Sequence, residues 1–194
     1  LMGPVPGNDG EMISEVRYTG DIDTKLTEIS QGAFVGLNIP GNEAFWAENQ
    51  QVYSTVDATG YQLGADARIA IGGEEIQLRA GDNLYSIVSK INDSDAAVEA
   101  SVDPVRGSLM LRTTSPRQLW LEDLGDDVVL QDLGIVDDRV TRPPDNLASS
   151  AQVFGGSVFD MVISLRDELL AGDSEDVGGR ALGGIDSAID GVLS

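Results

Sequence analysis

Cysteine and histidine are both absent from the 194-residue sequence. This removes thiol nucleophiles, cysteine-type zinc sites, a disulfide-stapled fold and the usual general base near neutral pH. Lysine is nearly absent as well, with only Lys25 and Lys90, and basic residues form no run. Acidic residues outnumber basic ones 33 to 12, giving a net charge of −21. Such a surface repels a phosphate backbone and an anionic bilayer, so the expected partners include no nucleic acid and no membrane. No apolar run approaches the ~20 residues that span a bilayer. The opening LMGPVPGNDG has neither the basic start nor the apolar centre of a cleaved signal peptide. Residues 1–15 are expected to be a flexible lead-in, and Leu1 is expected of a fragment or a processed chain.

What the sequence does have is alternation. Met12 to Tyr18, Lys25 to Ile29 and AFVGLNIPG (33–41) alternate apolar and polar residues between glycine and proline punctuation, which predicts strands. Asn42 to Asn49 is read as a short helical turn carrying Phe45 and Trp46. ARIAI and EIQLR flank Gly72-Gly73, a pair suited to the positive φ angles of a two-residue hairpin. Leu84, Ile87, Val88 and Ile91 then recur at helical spacing, with Asp82 or Asn83 placed to cap the start. AAVEASVD and SLMLRTT read as a second hairpin turning at Pro104 to Gly107. Gln118 to Leu121 and Val128 to Leu130 are read as further strands. The order hairpin, helix, hairpin, strand predicts an α+β class. The β-rich domain is expected over residues 16–138, its hairpin-helix-hairpin module over 67–136, and a linker over 139–156.

Residues 157–194 change period. Val158, Val162, Leu165 and Leu169 fall on one stripe of a helix, which Phe159, Ile163 and Leu170 widen. Ser157 and Asp160 have the spacing of a capping box. Gly172 is expected to stop this helix. Leu182, Ile185, Ile189 and Val192 mark a second stripe, in a helix that Glu175 and Asp176 favour at its start. Gly183-Gly184 costs that helix about 2 kcal/mol of propensity relative to alanines.

A search for catalytic chemistry finds none, and the expectation is a protein that is not an enzyme and needs no cofactor and no metal. The pairs Glu74-Glu75, Asp126-Asp127 and Asp137-Asp138 are neighbours that point to opposite faces of a strand. The loop Glu122 to Asp127 offers oxygen ligands for calcium but lacks EF-hand spacing, so solvated turn acids are the simpler reading. Ser86, Ser89 and Lys90 lack the Ser-x-x-Lys arrangement, and no phosphate-binding glycine loop or nucleophile elbow is present. Phe34, Phe45, Trp46, Tyr53, Tyr61 and Trp120 offer rings for a sugar platform, although such residues are more often core.

Three segments, in order, resemble the flagellar hook-associated protein 3 family, the hook–filament junction proteins. They are YTGDIDTKLTEISQGAFVGLNIPGNEAF, the hook IN-like stretch RIAIGGEEIQLRAGDNLYSIVSKIN with VEASVDPVRGSLMLRT, and VFDMVISLRDELLAGD with GGRALGGIDSAID. The resemblance implies a β-rich outer domain and a C-terminal helical pair that belongs to a flagellin-like helical core. It implies that Val158, Val162, Leu165, Leu169, Leu182, Ile185, Ile189 and Val192 form an assembly interface. The implied partners are a second hook-associated protein of the FlgK type, flagellin, and copies of the chain itself in a ring. The implied location is the extracellular flagellum (periplasmic if the flagellum is internal), reached without a cleaved signal peptide. Two alternatives stay open: a flagellin filament subunit, and a non-catalytic extracellular module that binds sugar or calcium.

Overall fold

The computed structural model describes residues 16, 18, 20–137, 141–171 and 189. The chain divides into two compact units, one of residues 49–154 and one of residues 1–48 with 155–194. This division crosses the boundaries expected at 138/139 and 156/157, because residues distant in sequence pair. The lead-in 1–15 and the strand expected from Met12 fall largely outside the described residues. So do Gly172, Glu175, Asp176 and the Gly183-Gly184 pair.

The central unit is α+β with antiparallel sheets, as expected. Strand β3 is Gln51–Ser54; strands β4 (Ala67–Ile71) and β5 (Glu74–Leu78) form the hairpin read at Gly72-Gly73. Both glycines have positive φ, 61° and 89°, which the two-residue turn requires. Helix α2 (Leu84–Asn92) follows, and Asn83 caps it by accepting the Ser86 N–H through Oδ1 at 2.9 Å. Leu84, Ile87 and Ile91 are its buried stripe. Strands β6 (Val98–Val102) and β7 (Leu109–Thr113) form the second hairpin, with Ala100 opposite Leu111. The Asn92 amide bonds both backbone groups of Ala100, at 2.7 and 2.9 Å, and so fixes the helix end to β6.

The two hairpins enter different sheets. With β8 (Leu121–Asp123) and β9 (Ala151–Phe154), the orders are β5-β4-β8 and β6-β7-β3-β9. One apolar cluster joins the sheets and α2, with Val52, Ile69, Ile87, Leu109, Leu111 and Leu121 fully buried in it.

Three sequence expectations need correction here. Val128 to Leu130 is not a strand but the start of a helical turn, α3 (Val129–Asp132). The Asp123 carboxylate accepts the N–H groups of Leu130 and Gln131 at 2.8 and 3.0 Å, which favours the helical turn over extension. The expected linker ends in strand β9, which pairs antiparallel with β3 from Ser54↔Ala151 to Gln51↔Phe154. The strand expected at Gln118 to Leu121 begins only at Leu121. Gly134, at φ 69°, closes α3 so tightly that a Cβ would sit 2.5 Å from Val56 Cγ2.

Tyr61 lies against this core, half-buried. Burial, reinforced by the Asp132 and Asp123 carboxylates, pushes its hydroxyl up to about 12, from an ordinary 10.0. A phenol with a raised folded-state pKa contributes stability that is complete below pH ~10 and lost as pH rises toward ~12. The Tyr61→Phe variant should therefore lose less stability than the parent between these two pH values in denaturant titrations. An equal loss in both proteins would contradict the assignment.

Candidate assembly surface

The other unit contains the hairpin β1 (Leu26–Ser30) and β2 (Ala33–Gly36), the single turn α1 (Gly41–Ala44) and helix α4 (Val158–Ala171). Helix α4 starts where the capping box is expected. The Ser157 N–H and hydroxyl both donate to Asp160 Oδ2 at 2.8 Å, and the Asp160 N–H donates to Ser157 Oγ at 3.2 Å. Its base is also tied to the segment after α1. Trp46 bridges Ser157, the Val158 N–H donates to the Phe45 carbonyl at 2.9 Å, and the Phe45 and Phe159 rings lie 5.5 Å apart. These aromatics are anchors for the helix start, a role that no local pattern announces.

Ser157 is fully buried, so Ser157→Ala removes the oxygen that accepts the Asp160 N–H and one of the two donors to the Asp160 carboxylate. We expect a loss of about 0.5–2 kcal/mol, read as a fall in the melting transition followed by helix circular dichroism. An unchanged transition would show that the aromatic anchors alone set the helix start.

Beyond its base α4 opens to solvent. Val158 and Leu165 are half-buried, while Val162, Leu169 and Leu170 keep 52%, 60% and 66% of their surface exposed. Helical periodicity puts Val158, Val162, Leu165 and Leu169 on one side. The structure thus places four of the eight sequence-derived residues on one stripe, of which Val162 and Leu169 are open. Ile189 is exposed, whereas Leu182, Ile185 and Val192 lie outside the described residues.

Among the described residues, no three acidic side chains gather as a metal-binding group. In the acidic loop, Asp123 caps α3 and Asp127 accepts the Arg68 N–H at 2.7 Å. Trp46 is buried, Phe45 packs on Phe159, Tyr61 lies on the central core, and Tyr53 stacks on Phe154 beneath the Arg106 guanidinium. Lys90 is ion-paired with Asp82. Burial pushes the Asp82 carboxyl up, but the Arg79 N–H and the Lys90 ammonium together outweigh it and hold the group below its usual range. No described helix is long and apolar enough to cross a membrane.

Residues 70–115 match the family of the flagellin hook IN motif. They run from the end of β4 through β5, α2, β6 and β7, the hairpin-helix-hairpin order read from the sequence. The chain is also 40% identical over 58 residues to the flagellar hook-associated protein 2 of Thermotoga maritima. That stretch is 29% of this chain and 10% of the relative, so the chain spans a small part of the curated protein it matches. Among solved structures, the D2-D3 domains of the flagellar cap protein FliD from Escherichia coli are similar at 19% identity. The TM-score is 0.43, over 58% of this chain and 62% of that one. Residues 70–115 thus match the flagellin hook IN motif within an antiparallel α+β unit, and a 58-residue stretch is similar to a flagellar hook-associated protein.

Proposed function

We propose that this chain is a non-catalytic structural part of the bacterial flagellum, placed at the hook–filament junction. In this reading the unit of residues 49–154, with its hook IN motif, decorates the outside. The α4 stripe contributes to the helical core, and copies of the chain form a ring between a FlgK-type hook-associated protein and flagellin. The observation that carries the proposal is the open apolar side of α4, with Val162 and Leu169 more than half exposed in a chain of net charge −21. Exposed apolar side chains grouped on one side of a helix mark a site of association. Continuation of the helical core through Leu182, Ile185, Ile189 and Val192 belongs to the same proposal.

Immunogold labelling of intact flagella tests it, with an antibody raised against residues 49–154. Label confined to the hook–filament boundary is the expected result. Uniform label along the filament would replace the junction with the filament-subunit reading, and label at the distal tip would assign the chain to the cap. Unlabelled flagella would overturn a flagellar role.

A further inference from the structure

The hairpin β1–β2 has a surface that its own fold does not account for. Every strand residue is exposed except Ala33, which is half-buried. Leu26, Ile29, Phe34, Val35, Leu37 and Ile39 keep between 46% and 73% of their surface in solvent. The pairing Leu26↔Gly36 and Glu28↔Phe34 puts Leu26 and Phe34 on one face, while Thr27↔Val35 puts Val35 on the other. Leu37, two residues beyond Val35, continues that second face. Both sides of the ribbon are therefore apolar.

Burial does not hold its shape. The Lys25 N–H donates to Asn38 Oδ1 at 2.7 Å, the Leu37 N–H to the Lys25 carbonyl at 2.8 Å, and the Gly32 N–H to Glu28 Oε1 at 3.0 Å. An uncovered two-stranded ribbon is marginal in water. A ribbon shaped by local bonds and apolar on two faces has the form of an insert awaiting neighbours.

Charge selects the neighbour. Between Thr24 and Ile39 the only charged residues are Lys25 and Glu28, which cancel, so the remaining chain carries the whole of the −21. A basic partner would be drawn to that remainder and finds no attraction at the hairpin. A second copy of the chain is repelled over most of its surface and meets no repulsion here. The six exposed side chains offer roughly 600–800 Å² over the two faces together, so each face brings about half of the ~800 Å² that a partner buries in a standard interface. A contact that joins one face to the other is heterologous, the type that forms a ring when its rotation closes.

We propose that the β1–β2 hairpin is a contact between neighbouring copies of this chain. The proposal rests on the ring assembly described above and names the surface that forms it. Sedimentation equilibrium of the 194-residue chain from ~10 to ~500 µM tests it. The mean mass should rise with concentration, and rise further at ~0.5 M than at ~0.02 M salt, because screening removes the like-charge repulsion. Phe34→Asp with Val35→Asp should return the chain to monomer with an unchanged melting temperature. As a second readout, Thr27→Cys supplies the sole thiol of the chain, and a short bismaleimide should yield a crosslinked dimer. A monomeric mass under all conditions without a crosslink, or association that survives the double substitution, overturns the proposal. A several-degree fall in melting temperature at unchanged mass also overturns it, by showing that the hairpin is covered within one chain. Association insensitive to the hairpin but lost in Leu169→Asp sinks the hairpin contact and keeps the assembly reading.

Discussion

Leu111→Ala should destabilise the unit of residues 49–154 by about 2–5 kcal/mol, the range for emptying a fully buried leucine site. Leu111 has no exposed surface and lies mid-sheet, between Val52 on β3 and Ala100 on β6. Alanine already occupies one flank, so the neighbours have little side chain with which to close the cavity. In a unit of this size the change corresponds to a fall of roughly 10 °C or more in melting temperature. Met110, one residue back, faces the opposite side of the sheet and is half-buried. Met110→Ala should therefore cost well under half as much. Calorimetric melts of the two variants beside the parent check the expectation. Equal losses would mean that the two faces of the sheet are not distinguished as core and surface.

Sequence reading succeeded where a signal was local and failed where pairing partners were remote. The Gly72-Gly73 hairpin, the stripe of α2 and the Ser157–Asp160 cap each lie within a few residues, where backbone geometry and hydrogen bonding are set by neighbours. Strand β3 went unread because one of its two core-facing residues is Ser54, fully buried with its hydroxyl oxygen accepting the Val56 N–H. Strand β9 has the sequence of a linker because its register comes from β3, about a hundred residues earlier. At α3, three apolar residues looked like a strand until Asp123, outside the run, supplied two acceptors for its amides. The stripe of α4 was legible from its spacing. Its openness, like that of the hairpin, is a property of what fails to cover it, which no residue pattern encodes.

The second large effect is expected on α4. Leu169→Asp places a carboxylate on a position that is 60% exposed, so the melting temperature of the 194-residue chain should barely change, within about 0.5 kcal/mol. Leu165 is half-buried and makes a poorer probe, since its loss mixes packing within the chain with packing between chains. In an assembled flagellum the same Leu169 side chain would be buried, contributing about 1.5–3 kcal/mol per copy. A carboxylate there would be buried unpaired, at a cost of several kcal/mol repeated in every subunit. The most direct measurement pairs thermal melts of Leu169→Asp with filament attachment and swimming in cells whose only copy of the protein carries it, beside Leu169→Met as a volume-matched control. An unchanged melt, loss of filaments and swimming with Asp, and retention of both with Met are the predicted results. Normal filaments with Asp, or a melt lowered by many degrees, would contradict the claim that α4 presents an assembly surface.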